Sequence, residues 1–172
     1  MKKILLIASV LMICLSSLFA QTESVKSFYD RYTNQDKVSD YTVNGWLLKV
    51  ASEYSDDADA SKVLEKITQL RILIMDDGNP ISSHEYKDFM KVLRKDSFKE
   101  LIKIKDKEVD VDFFIREEGQ HITNVLMLVN EKDGFVLISL EGLLKMEDLK
   151  NLNLDIEGGE HFEAVGKKLD RA

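Results

Sequence analysis

LIKIKDKEVDVDFFIREEGQHITNVLMLVNEKDGFVLISL, residues 101–140, decides the fold. Leu101 to Lys105 reads as one strand, with Ile102 and Ile104 alternating against Lys103 and Lys105. Val109, Val111, Phe113 and Ile115 then alternate with Asp110, Asp112, Phe114 and Arg116. Period-two alternation places the two sets on opposite faces of a strand. Glu118-Gly119-Gln120 turns the chain into Ile122 to Asn130, and Lys132-Asp133-Gly134 turns it again into Phe135 to Leu140. Asp-Gly is a hairpin signal because both central residues of the favoured turn need positive φ. Glu141-Gly142 is expected to end the sheet. The stretch is therefore an antiparallel meander.

Upstream, TQLRILIMD has the same period of two. Leu70, Ile72 and Ile74 face one way, and Gln69, Arg71, Leu73 and Met75 the other. Both faces turn apolar, which marks an interior strand. A short strand near Ser39 to Val43 precedes it. Between them, Asn44 is placed to cap a helix that buries Leu47, Val50, Ala51 and Tyr54. Ser55-Asp56-Asp57 ends that helix, and a shorter piece covers about Ala60 to Lys66. Strand, helix, strand in this order predicts a right-handed crossover with the two strands parallel. Val25, Phe28, Tyr29 and Tyr32 give a helix over Glu23 to Tyr32. Beyond the Asp76–Pro80 turn cluster, Ser82 and Glu85 have capping-box spacing ahead of a helix carrying Tyr86, Phe89, Met90 and Leu93. A helix from about Lys145 to Leu152 follows the meander, and the tail after Gly158-Gly159 adds a short one on Phe162, Val165 and Leu169. The expected fold is α+β: one domain, with a mixed, mostly antiparallel sheet of about six strands and helices mainly on one face. Residues 1–20 are assigned to a signal peptide, 21–157 to the domain and 158–172 to the tail.

The leader, MKKILLIASVLMICLSSLFA, has a basic start at Lys2 and Lys3, an apolar run from Ile4 to Leu15, and small Ala20 at its end. The apolar run is short of a membrane span, so cleavage near Ala20-Gln21 is expected. This places the protein in the periplasm or outside the cell, with no stable membrane anchor. Cys14 lies within the leader, preceded by bulky Ile13, which suits a lipidated cysteine badly. Its loss leaves a cysteine-free mature chain without disulfide, thiol nucleophile or thiolate metal site. The full chain carries −7, and losing Lys2 and Lys3 takes it to −9. Such charge argues against nonspecific nucleic-acid or anionic-membrane binding.

Reactive signatures are missing. Asp110-Val111-Asp112 resembles a metal-binding D-x-D, but valines flank each aspartate in strand alternation, which reads as the polar face of a two-sided strand. His84, His121 and His161 are far apart in sequence and lack zinc-ligand spacing. Asp56, Asp57 and Asp59 lack the glycine and distal glutamate of an EF-hand loop. There is no G-x-S-x-G elbow and no phosphate-binding glycine loop. Trp46, Phe28, Tyr29 and Tyr32 read as core rather than as a binding patch. Phe114, Leu126, Leu128 and Val136 supply more apolar surface than one sheet face needs, which admits a pocket. No residue is assigned a catalytic, cofactor-binding or metal role, and no cofactor is expected.

The order of SFYDRYTN, WLLKVAS, LEKITQLRILIMD, YKDFMKVL and GFVLISLEGLLKMEDLKNL behind a leader ending Ala20-Gln21 resembles the domain-of-unknown-function 4252 family. That family consists of small secreted proteins typical of Bacteroidetes. The resemblance carries no catalytic residues. Frequent placement of its members beside extracytoplasmic sigma-factor genes implies an envelope-stress or signalling role. The expected function is a non-enzymatic binding or regulatory role with a protein partner in the envelope. A periplasmic small-ligand or lipid carrier is the alternative, and an unrecognised hydrolase a third reading.

Overall fold

The computed structural model describes residues 23–150 except residue 108. The leader, with Cys14, and the tail, with its expected helix and His161, lie outside the described residues. The elements are α1 (Glu23–Tyr32), β1 (Val38–Asn44), α2 (Gly45–Ser52), α3 (Ala58–Leu64), β2 (Ile67–Met75), α4 (Ser83–Lys95), β3 (Lys99–Lys105), β4 (Val109–Glu118), β5 (His121–Glu131), β6 (Phe135–Leu144) and α5 (Met146–Lys150).

The meander forms as its alternation dictates, and one six-stranded sheet results, ordered β1-β2-β6-β5-β4-β3. The α+β class and the strand number are as expected. Every described pair is antiparallel, however, so the parallel crossover does not form. The reason lies in α2 and α3, which pack on one another. At ~1.5 Å per residue the chain travels about 12 Å out along α2 and about 10 Å back along α3. It re-enters the sheet at the end it left, with Asn44 opposite Gln69.

Three local expectations are also corrected. The β5–β6 hairpin forms at Asp133-Gly134, but neither residue has positive φ. The loop is instead tied to the preceding turn cluster. Asn79 Nδ2 donates to Glu131 O (2.7 Å) and Gly134 O (3.1 Å), and the Gly78 N–H donates to Asp133 O (3.0 Å). The sheet does not end at Glu141-Gly142, since β6 runs on to Leu144. It can do so because residue 142 has no side chain: a Cβ there would lie 2.4 Å from Lys66 O. Finally, α2 buries Leu48 and Ser52, whereas Leu47, Val50, Ala51 and Tyr54 are exposed. Gly45 sets this orientation, because its Cα rests against the Ile67–Thr68 backbone, where a Cβ would meet Ile67 O at 2.7 Å. Gly45, Leu48 and Ser52 (i, i+3, i+7) form the inward line, and the aromatic line is left outside. Asn44 occupies the N-cap position without a side-chain cap hydrogen bond.

The sheet separates two apolar layers. On one face α1 and α4 lay Phe28, Tyr29, Phe89 and Leu93 over Leu73, Phe114, Leu126, Leu128 and Leu137. Phe28 stacks on Phe89 with centroids 4.1 Å apart. The capping box of α4 is complete: the Glu85 N–H donates to Ser82 Oγ (3.2 Å) and the Ser82 N–H to Glu85 Oε2 (3.0 Å). On the second face, Leu48 of α2, Val63 of α3 and Leu149 of α5 join a cluster with Ile67, Phe113, Met127 and Ile138. Helix cover is thus heavier on the first face, where the two longest helices lie.

Candidate functional site

The orientation of α2 leaves a line of large side chains in solvent. Trp46 is 68% exposed, Val50 42% and Tyr54 83%, at i, i+4 and i+8. Tyr54 stands two residues past α2, where its N–H donates to Ala51 O (3.1 Å) and continues the turn. Leu47 beside them and Tyr41 on β1 are also about half exposed, at 46% and 56%. Single exposed apolar residues are ordinary, but here five lie on one helix, the turn after it and its adjoining strand. The setting is acidic: between Asn34 and Lys66 there are seven Asp or Glu residues and four lysines. Among these acids, Asp57 is committed to structure. Its Oδ1 accepts from the N–H groups of Asp59 (2.8 Å) and Ala60 (3.1 Å) and caps α3. Those bonds, Ala60's first, lower the pKa of its carboxyl. The acidic triplet is a helix start.

The reactive-looking groups elsewhere are occupied. Asp110 and Asp112 do not converge on a cation position. Asp110 Oδ2 lies 2.9 Å from Lys105 Nζ. Asp112 is fully buried beneath α4 and accepts from the Tyr86 hydroxyl and Lys103 Nζ. It thus belongs to the helix-covered face rather than to a solvated one. Burial, then the Asp112 carboxylate, push the Tyr86 phenol above its usual range, so it stays a neutral donor. With both partners in place and α4 above it, Asp112 has no open side for a substrate.

A second polar node sits under α1. Arg71 grips Asp40 through Nη2–Oδ2 (2.8 Å) and Nε–Oδ1 (3.3 Å). Its guanidinium lies 4.0 Å from the centroid of the Tyr29 ring. The Tyr29 hydroxyl donates to Arg71 O (3.0 Å) and also contacts Leu137 O (3.3 Å). Burial raises the Tyr29 phenol despite Arg71. Nearby Glu141 has one buried carboxylate oxygen with no hydrogen-bond partner among the described residues. Its carboxyl is raised by burial, against the pull of Arg71. Both nodes couple distant segments, Tyr86 to Asp112 and Asp40 to Arg71. No local motif announces such pairs; a charged residue inside an apolar strand, such as Arg71 in LRILI, is the available signal.

The two described histidines form no shared site. His84 is exposed and lies 3.0 Å from Asp88, and His121 opens β5 in solvent. Among the described residues no group of three or more His, Cys, Asp or Glu is arranged to hold a metal ion. The aromatic set splits: Phe28, Tyr29 and Tyr32 are core as expected, but Trp46 is not. Phe114, Leu126 and Leu128 are fully buried under the two long helices rather than lining a pocket, and Val136 is partly buried against the second cluster. A cleft of about 340 Å³ lies at the N-terminal end of α4, lined by Asn79, Ser83, Asp106, Asp110, Asn130 and Lys132 among others, a polar wall unsuited to lipid.

A family model described as "Domain of unknown function (DUF4252)" matches residues 29–152. No curated protein and no solved structure matches the chain.

Proposed function

We propose that this chain, which belongs to the domain-of-unknown-function 4252 family, is a non-enzymatic binding or regulatory protein of the cell envelope. The carrying observation is the exposed line of Trp46, Val50 and Tyr54 with Tyr41 beside it. Fully burying each such side chain is worth about 1.5–3 kcal/mol, a gain this fold forgoes at adjacent positions and a partner can realise. The engagement of Asp112 by Tyr86 and Lys103, and of Asp40 by Arg71, supports the same reading, since these charges already serve packing. The leader supports the envelope address.

The test is affinity capture of the tagged, processed chain from envelope extracts, native and crosslinked, beside a Trp46→Ala/Tyr54→Ala variant. A specific partner recovered by the wild type and lost by the variant is expected. Recovery of no partner, or of the same proteins by both, refutes the reading.

A carrier role for a small apolar ligand is the second reading. It draws on the second sheet face, where Ile72, Ile74 and Val136 are only partly buried. Native mass spectrometry after gentle purification separates the two: a clean apo mass with no extractable lipid excludes the carrier.

A further inference from the structure

The described sheet ends in two edges that the sequence treats differently. β3, KELIKIK, carries Lys99, Lys103 and Lys105, and its pairing with β4 shifts between Glu100 and Ile102. Lysines and bulges both discourage the addition of another strand. β1, VSDYTVN, has neither device. It pairs with β2 without a register shift from Val38↔Met75 to Asn44↔Gln69, and it contains no Lys, Arg or Pro. Its only charge, Asp40, is matched by Arg71 at 2.8 Å. Seven extended residues offer about 23 Å of edge with no partner strand among the described residues. Tyr41, at the midpoint, is 56% exposed, and α2 with its aromatic line departs from the strand's last residue.

We infer that β1 is a receiving edge, to which an extended segment of another protein adds as a further strand. The inference rests on the binding reading above and specifies its geometry. Main-chain hydrogen bonds to β1 supply affinity, and alternate side chains supply selectivity. The side chains on the Tyr41 and Val43 face are apolar, because that face leads to Trp46 and Val50. The segment is also basic, because the stretch Asn34–Lys66, which supplies β1 and the helices α2 and α3 that follow it, carries seven acids against four lysines, and with Asp40 matched by Arg71 six acids are left against the four. A second copy of this chain fits poorly, since it brings the same acidic surface and a net charge of −7, or −9 without Lys2 and Lys3.

The probe is an array of twelve-residue peptides with valine or phenylalanine at odd positions and lysine, threonine or glutamate at even ones. Each has a proline-interrupted control of equal charge. The processed full-length chain is expected to bind the lysine series, and to lose about tenfold in affinity when proline breaks the peptide or when Tyr41→Lys guards the edge. Amide exchange of β1 residues should slow by about tenfold in the complex while β3 amides are unchanged. Tyr41→Lys alters an exposed side chain, and an unchanged melting temperature shows that it folds. Equal binding of proline-interrupted peptides, preference for the glutamate series, or protection confined to α2 overturns strand addition. So does a dimer that protects β1 without peptide, because it names a second copy as the occupant. If envelope capture succeeds while the array fails, strand addition alone is lost. If capture fails while the array binds, the native-partner reading is lost and the edge remains a receptor for basic strands.

Discussion

Removing one oxygen from Tyr86 probes the interior of the first layer. The Tyr86 hydroxyl donates to a fully buried carboxylate, Asp112, whose other partner is Lys103. In Tyr86→Phe the ring can keep its edge contact with Phe135, 6.3 Å between centroids. The loss is then confined to one hydrogen bond to a charged acceptor, about 1.5–3 kcal/mol. For a chain of this length each kcal/mol lowers the melting temperature by about 2–4 °C, so a loss of about 2 kcal/mol moves it by about 4–8 °C. A double-mutant cycle isolates the pair. In an Asp112→Leu background the tyrosine hydroxyl has no acceptor, so Tyr86→Phe there is neutral or stabilising. Urea denaturation of the four proteins, fitted with a common slope, gives the coupling energy. A coupling below about 0.5 kcal/mol refutes the assignment, because independent sites add within that margin. The alkaline limb supplies a second check. The folded phenol is raised above its ordinary value of 10.0, so the unfolded state releases this proton first. Stability therefore falls as pH climbs past about 10, and Tyr86→Phe should fall less steeply there.

Glu141→Gln should raise stability near neutral pH by about 1 kcal/mol, since it replaces a buried carboxylate with an unpartnered oxygen. Because burial raises this carboxyl above 4.5 in the folded state, the wild type loses stability as pH rises from there toward neutrality. The gain should accordingly shrink toward pH 4.5 in thermal melts, and an equal gain at both pH values contradicts the cause. Gly45→Ala places a Cβ about 2.7 Å from Ile67 O, against backbone that cannot step aside. A loss of about 3 kcal/mol is expected, read by chemical denaturation, and a change under about 1 kcal/mol disproves the close approach. Trp46→Ala/Tyr54→Ala should change stability by no more than about 0.5 kcal/mol per site, and a large drop in melting temperature would show that these side chains are core.

Regular patterns carried the sequence reading a long way. The meander, the heptad-like face of α1 and the Ser82–Glu85 box each encode structure within a few residues, and each forms where the sequence places it. What failed depended on backbone meeting backbone. WLLKVAS offers two overlapping apolar lines, and only the close approach of Gly45 to Ile67 and Thr68 selects the line through Leu48. The same contact, with α3 folding back on α2, turns an expected parallel pair into an antiparallel one. Gly142 looks like a terminator in sequence, but it is a passage where β6 slips past Lys66. The choice of line is what puts Trp46 and Tyr54 outside the core. Asp112 has the sequence signature of a polar-face residue because its lysine and tyrosine partners come from other elements.

The strand order also has a consequence in time. β2 sits between β1 and β6, and β6 is the last of the described strands. As a polypeptide emerges N-terminus first, β1 and β2 can meet early, but the inner flank of β2 stays open until Phe135 to Gly142 arrives. Phe135 and Leu137, against which the α1 and α4 layer closes, arrive with the same strand. The first layer is complete only at Leu137 and the second at Leu149, about four-fifths and six-sevenths of the way along 172 residues. A protein so ordered stays threadable for most of its synthesis and locks late.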